Sequence, residues 1–358
     1  MRNKTTRNAR AETGENRFLR ACSRKPVDRT PIWLMRQAGR YLPGYRKIRK
    51  DHNLLTICKS PRLAAAITLL PVEELGVDAA IIFADIMLPL QPMGISFTIQ
   101  NQVGPVVSKP LSTFSDVDSL MKIDPVRDLP HVLEAIHLVK AKLPEEIPLI
   151  GFCGAPFTLA SYVIEGKPSR DLVRTRTIMY DKPEVWKGLM SRLTQAMGSY
   201  LKAQVHAGAQ AIQIFDSWIG CLSPTDYREY VEPYSRQLFA TIEEEGVPSI
   251  HFGTGTGLLL EEMKRAGGDI IGLDWRISIG NAWSRLGDGV GIQGNLDPAA
   301  LLTSHHFIRS KTKQILSDVN GRPGHIFNLG HGVLPNTPVE NVSQLVDLVH
   351  ELSFPPSL

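Results

Sequence analysis

Residues 79–85 read Ala79-Ala80-Ile81-Ile82-Phe83-Ala84-Asp85, six apolar residues that end on a carboxylate. A run this short and apolar on both faces suits a strand whose sheet is covered by helices on either side. The same design, a short apolar run ending in polar or glycine-rich sequence, recurs at 31–36, 148–154, 211–217, 248–253, 269–274, 290–295 and 325–330. Helix signals lie between the runs. Ser60-Pro61 opens an alanine- and leucine-rich segment ending near Gly76, and Ser223-Pro224-Thr225-Asp226 opens another that reaches Gly246. A short helix over 258–265 stops at Gly267-Gly268, while Asp297-Pro298 and Thr337-Pro338 repeat the proline-led start. Strands alternating with helices form parallel sheets, and eight repeats predict closure into a single α/β (β/α)8 TIM barrel. A doubly wound open sheet is the alternative. Barrels carry their chemistry at the carboxyl ends of their strands, so those ends hold the candidate residues.

Composition narrows the classes. With 358 residues, 43% apolar and 21% charged, the chain reads as a soluble globular protein with a large core. Its 25 prolines and 29 glycines suit many loops better than long uninterrupted helices. The net charge of +4 is concentrated at the start, where Arg2, Lys4, Arg7 and Arg10 face only Glu12 within residues 1–12. That surplus of three leaves +1 for 13–358, so the body lacks the basic patch of a nucleic-acid binder. Residues 1–12 are expected to form a disordered basic tail, and 13–358 the catalytic barrel. No apolar stretch follows the tail charges as in a signal peptide, and the long uncharged run 86–108 is broken by Pro89, Pro92 and Pro105. A cytoplasmic protein without a membrane span is expected. Cys22, Cys58, Cys153 and Cys221 lie far apart and read as small buried hydrophobes rather than zinc ligands or disulfides.

The first strand end, Arg36-Gln37-Ala38-Gly39-Arg40, sets two arginines about a glycine, suited to bidentate capture of carboxylates or phosphates. Arg36 follows Ile32-Trp33-Leu34-Met35 closely enough to predict only partial exposure. At the second end Asp85 stands in an apolar run, where a carboxylate is poorly solvated. Either it is capped or ion-paired, or it awaits a ligand's N–H donors or cation. The third and fourth ends contribute Phe152, Phe157, Tyr162, Phe215, Ser217 and Trp218, aromatic walls with hydroxyls for a bulky organic ligand. The eighth end places His331 between Gly330 and Gly332, with little steric cover. Two features imitate sites. Gly253-Thr254-Gly255-Thr256-Gly257 with Asp274 mimics a dinucleotide fingerprint, but Leu258 falls where a small residue is required. His305-His306 reads as the solvent face of an outer helix.

Several of these segments together are similar to uroporphyrinogen decarboxylases. The likeness rests on 31–43 (Pro-Ile-Trp-Leu-Met-Arg-Gln-Ala-Gly-Arg-Tyr-Leu-Pro), 151–158 (Gly-Phe-Cys-Gly-Ala-Pro-Phe-Thr), Phe215-Asp216-Ser217, Gly272-Leu273-Asp274-Trp275, 293–298 and 328–332. It extends from about Glu15 to about Leu352, with Gly253–Gly257 standing where many relatives carry a different loop. The resemblance implies a (β/α)8 barrel, a homodimer, and a cofactor-free, metal-free removal of four acetate carboxyls from uroporphyrinogen III. It further implies substrate contacts at Arg36, Gln37, Ala38, Gly39, Arg40, Asp85, Tyr162, Ser217 and His331, with Asp85 and Arg36 catalytic. The main rival is a corrinoid-dependent zinc methyltransferase of the same superfamily. Its His-x-Cys zinc motif would fall at His251-Phe252-Gly253, which lacks the cysteine. A dinucleotide-dependent oxidoreductase and a non-catalytic tetrapyrrole carrier are the remaining alternatives.

Overall fold

The computed structural model describes residues 16–100 and 103–353, and the expected tail at 1–12 lies outside them. Seven strands form one wholly parallel sheet: β1 (Ala80–Ile81), β4 (Leu149–Gly154), β5 (Ala211–Asp216), β6 (Ser249–Gly253), β7 (Ile270–Gly272), β8 (Gly291–Gln293) and β9 (His325–Ile326). They are hydrogen-bonded in that order, each to the next in sequence. A separate antiparallel hairpin, β2 (Phe97–Gln100) and β3 (Gly104–Val107), is inserted after β1. Seven of the eight expected runs therefore hold strands, in a curled sheet of neighbouring βα units.

The remaining run, from Pro31, forms no strand of its own. It makes one parallel bridge, Ile32 to Phe327, at the β9 side of the sheet. Phe327 donates its N–H to Pro31 O at 2.8 Å, and Trp33 donates to Phe327 O at 3.3 Å. At the other side Asp78, just before β1, donates its N–H to Ile32 O at 2.7 Å. Residues 31–33 thus bond toward both ends of the sheet.

Prolines start helices here more than they break them. Eight described α-helices carry proline in their first two positions, among them Pro61–Leu75, Pro156–Glu165 and Pro183–His206. That placement forfeits only an N–H that has no intrahelical partner anyway. The helix expected to run unbroken to Gly246 is two, Pro224–Tyr230 and Glu232–Glu243. Pro233, with no N–H to give residue 229, explains the break. Asp297-Pro298 opens only the 3-10 turn Pro298–Leu302.

Ile150, Ala211, Ile250, Phe252, Ile270 and Ile326 pack with Trp33 on the inner side of the curl. A buried polar chain crosses this core, from Trp33 Nε1 to Gln293 Oε1 at 2.9 Å and from Gln293 Nε2 to Gln213 Oε1 at 3.0 Å. The other face of each strand packs on the helices.

Candidate active site

The strand ends open onto one cavity of about 370 Å³, lined among others by Arg36, Gln37, Ala38, Asp85, Tyr162, Ser217 and His331. Larger hollows of about 520–570 Å³ lie elsewhere and contain none of these residues. Seven of the nine expected contacts therefore share a pocket, while Gly39 and the exposed Arg40 stand outside its lining.

Asp85 follows β1 after a tether in which Phe83 N–H donates to Thr68 Oγ1 at 2.9 Å. Its Oδ1 accepts the Met87 N–H at 2.9 Å, capping the turn into the 3-10 helix Leu88–Leu90. Among the described residues no other hydrogen bond reaches this carboxylate, so one oxygen is used locally and the other is left for the cavity. Burial against apolar walls raises the Asp85 carboxyl above the usual carboxylate range, and the Met87 N–H and the Arg36 charge oppose that rise.

Arg36 adopts φ +59°, a left-handed conformation uncommon for a side chain with a Cβ, and it is exposed where partial cover was expected. The extended stretch 31–34 gives way to a turn at Met35-Arg36, and the Arg36 side chain stands exposed beyond the buried Ile32, Trp33, Leu34 and Met35. Its stem lies across Gly332: a Cβ there would overlap Arg36 Cδ and come within 2.6 Å of Cγ. Gly330 is constrained differently, since a Cβ would press on the Trp275 N–H and stand 2.9 Å from the Asp274 carbonyl carbon. Between them, His331 Nδ1 accepts the Gly332 N–H at 2.6 Å. A ring nitrogen that accepts carries no proton, so the neutral imidazole is protonated at Nε2 and can donate there. Burial, with Arg36 and Arg276 adding to it, pushes the His331 pKa down to about 4.

Gln37 lines the cavity, but its amide is committed to the scaffold: Oε1 accepts from Leu34 N–H at 3.0 Å and Nε2 donates to Ala79 O at 3.1 Å. Tyr162 meets Trp218 edge to face, with centroids 5.9 Å apart, and burial raises its phenol pKa. Ser217 is held by its backbone, whose carbonyl accepts from Thr254 Oγ1 at 2.6 Å. Phe215 joins Phe152 and Phe252 in edge-on contacts of 5.5 and 6.0 Å to build an aromatic wall. Phe157, expected in that wall, is instead core, against Trp186 at 6.0 Å. Phe83, Phe252, Thr254 and Gly332 also line the cavity without having been singled out as contacts. Their positions at or just beyond strand ends are the signal that would have found them.

The glycine loop is a staple. Asp274, placed in sequence like a ribose ligand, accepts from Gly255 N–H at 2.6 Å, from Arg276 N–H at 3.0 Å and from the Arg276 guanidinium. His251 is buried with its Nε2 3.9 Å from Asp216 Oδ2, and no group of three or more His, Cys, Asp or Glu able to hold a metal occurs among the described residues. His305 is exposed, as expected, and its Nε2 meets Asn341 Oδ1 at 2.9 Å. Of the four free cysteines, Cys221 departs from expectation by being exposed, since it sits in the loop beyond β5.

Residues 13–352 match the family model described as uroporphyrinogen decarboxylase (URO-D). A relative of that name from Carboxydothermus hydrogenoformans is 52% identical over 336 residues, spanning 94% of this chain and 96% of its own. Another, from Trichlorobacter lovleyi, is 51% identical over 338 residues and covers 94% and 99%. Among solved structures, a methyltransferase from Methanosarcina mazei superposes with a TM-score of 0.78 at 20% identity, covering 94% of this chain and 97% of that one. A B12-independent methionine synthase from Shewanella sp. W3-18-1 reaches 0.55 at 10% identity, covering 81% and 88%. Those two likenesses concern the fold alone. Matched over nearly its whole length by the family model and by relatives at about half identity, the chain belongs to the uroporphyrinogen decarboxylase family.

Proposed function

We infer that this chain removes the four acetate carboxyls of uroporphyrinogen III, releasing carbon dioxide and giving coproporphyrinogen III in porphyrin and haem biosynthesis. One observation carries the reading: Asp85 presents a carboxylate oxygen, unclaimed by the described protein, at an apolar cavity that also holds Arg36. Relatives at about 50% identity bear the name of that activity.

Loss of carbon dioxide from an acetate arm leaves an electron pair that needs a sink. Protonating the adjacent pyrrole carbon supplies one. As the carbon–carboxyl bond breaks, its electrons neutralise the pyrrole cation and leave an exocyclic methylene. A second proton at that methylene gives the methyl product, and the ring proton departs. Asp85 accepts hydrogen bonds from the pyrrole N–H groups and stabilises the cation, in a site where water competes poorly. Arg36 binds a substrate carboxylate and relays the proton, while Arg40 meets outer carboxylates at the rim. Tyr162, Ser217 and the neutral His331, donating from Nε2, orient the ring substituents. Gln37, Ala38 and Gly39 supply the turn that presents Arg36. The reaction so written uses no metal and no organic cofactor.

The same reading makes 13–358 one catalytic domain and the sheet a closed eight-membered barrel. Residues 31–33, bonded toward both β9 and the start of β1, serve as the eighth stave. Family membership favours a cytoplasmic homodimer; no helix among the described residues is long and apolar enough to cross a membrane. Against the methyltransferase alternative stands Gly253, where a zinc-ligating cysteine is needed. The test is incubation with freshly reduced uroporphyrinogen, without added metal or cofactor, and separation of products by carboxyl count. Products with seven to four carboxyls are expected; their absence would refute the reading.

A further inference from the structure

Asp216, the last residue of β5, is fully buried and turned toward the helix Pro156–Glu165. Its Oδ1 accepts from Thr158 Oγ1 at 2.9 Å, while Oδ2 has no hydrogen-bond partner and the buried His251 Nε2 stands 3.9 Å from it. The single hydroxyl proton of Thr158 is directed to Asp216 Oδ1. That leaves the hydroxyl lone pairs facing outward, where they accept the Trp218 N–H at 3.3 Å. Tyr162 lies four residues beyond Thr158, hence on the same face of the same helix. Trp218 therefore meets this helix twice: by its N–H at Thr158 and by its indole, edge-on to Tyr162 at 5.9 Å. Tyr162 and Trp218 line the cavity; Asp216 and Thr158 do not.

We propose that Asp216 and Thr158 are positioning residues: the buried carboxylate orients the Thr158 hydroxyl, which anchors the Trp218 backbone and so sets the Trp218–Tyr162 wall of the cavity. The bearing on turnover rests on the function inferred above, since that wall matters to catalysis only as a contact of the macrocycle. A displaced wall weakens substrate placement without touching Asp85, so KM changes more than kcat.

The test uses full-length protein labelled with 5-fluorotryptophan, whose five tryptophans give five fluorine resonances, with that of Trp218 assigned by its loss in Trp218→Phe. Thr158→Val keeps the shape and removes the hydroxyl. It should displace the Trp218 resonance more than the other four and raise KM for uroporphyrinogen roughly three- to tenfold, the worth of one lost hydrogen bond, with kcat within a factor of about two. Thr158→Ser should restore both readouts. In a Trp218→Ala background, where the wall side chain itself is gone, Thr158→Val should add little further rise in KM. If Thr158→Val does not fold, Thr158→Ala, also lacking the hydroxyl, is read the same way. An unmoved Trp218 resonance, or a KM rise that persists undiminished in the Trp218→Ala background, would overturn the proposal. Because the resonance is read without substrate, failure of the anchor is distinguishable from a wild-type protein inactive on uroporphyrinogen.

Discussion

The apolar walls that give Asp85 its pocket also raise its pKa, so the ionised form that the proposed chemistry needs is the form that burial disfavours. A carboxyl with a raised folded pKa binds its proton more tightly folded than unfolded. Its destabilising effect is absent below the unfolded pKa, sets in as pH rises through the interval up to the folded value, and is complete above it. Asp85→Asn keeps an oxygen for the Met87 N–H and removes the charge. Thermal melts at pH 7.5 should place this variant at or above wild type, with the difference shrinking as pH falls into the ordinary aspartate range. His331 behaves in the opposite sense. With a folded pKa near 4, it stays neutral where an unfolded histidine is already protonated. It contributes stability that is present above about pH 6.5 and lost as pH falls from there toward 4. Its ring resonances should titrate near pH 4, and a midpoint near 6.5 would show that burial and the two arginines do not act on the ring. Gly332→Ala puts a methyl where the Arg36 stem lies. Displacing that guanidinium should raise KM by about tenfold, the scale of one charge-assisted hydrogen bond, with little change in melting temperature.

Several strands lead into a polar residue that is hydrogen-bonded within the turn beyond it: Asp85 after β1, Asp274 after β7 and His331 after β9. The start of the parallel sheet is fastened by Asp78, whose carboxylate accepts from Ile32 N–H at 2.8 Å, Arg17 at 2.7 Å and His350 at 2.7 Å. The first helix, Arg17–Cys22, the last, Val339–Leu352, and the segment entering the site therefore converge on one buried side chain. Asp78→Ala leaves those donors unpaired and should cost about 3–5 kcal/mol in denaturant unfolding. A loss below 1 kcal/mol would show the cluster to be ornamental. At this scale the sequence was only partly legible. Short apolar runs marked every strand of the main sheet, because strands covered on both faces need apolar residues throughout. The hairpin β2–β3 escaped because it falls within the uncharged run 86–108 and pairs only with itself. The helix Pro183–His206 is weakly marked at its ends, with Lys182 making no side-chain cap and Ala207 closing it; its signal is the apolar stripe Val185, Trp186, Leu189, Leu193 and Met197.

Across the whole molecule, the parallel sheet runs in strict chain order, and that order brings residues 36, 85, 162, 217 and 331 to one mouth. The gathering was legible once strand ends were counted. What each side chain does there was not, because it depends on turns that sequence spacing does not encode. Gln37 reads like a ligand contact and spends its amide on the scaffold; Gly332 reads like a spacer and makes room for an arginine. Asp85 combines both roles considered for it, a cap through one oxygen and an open acceptor through the other. The most direct measurement compares wild type with Asp85→Asn on freshly reduced uroporphyrinogen, counting the carboxyls of the products. Wild type should yield seven- to four-carboxyl porphyrinogens without added metal or cofactor, and the variant, folded by its melt, should lose at least about 100-fold in turnover, as expected when a preorganised charge is removed. Wild-type-like turnover in Asp85→Asn would contradict the account.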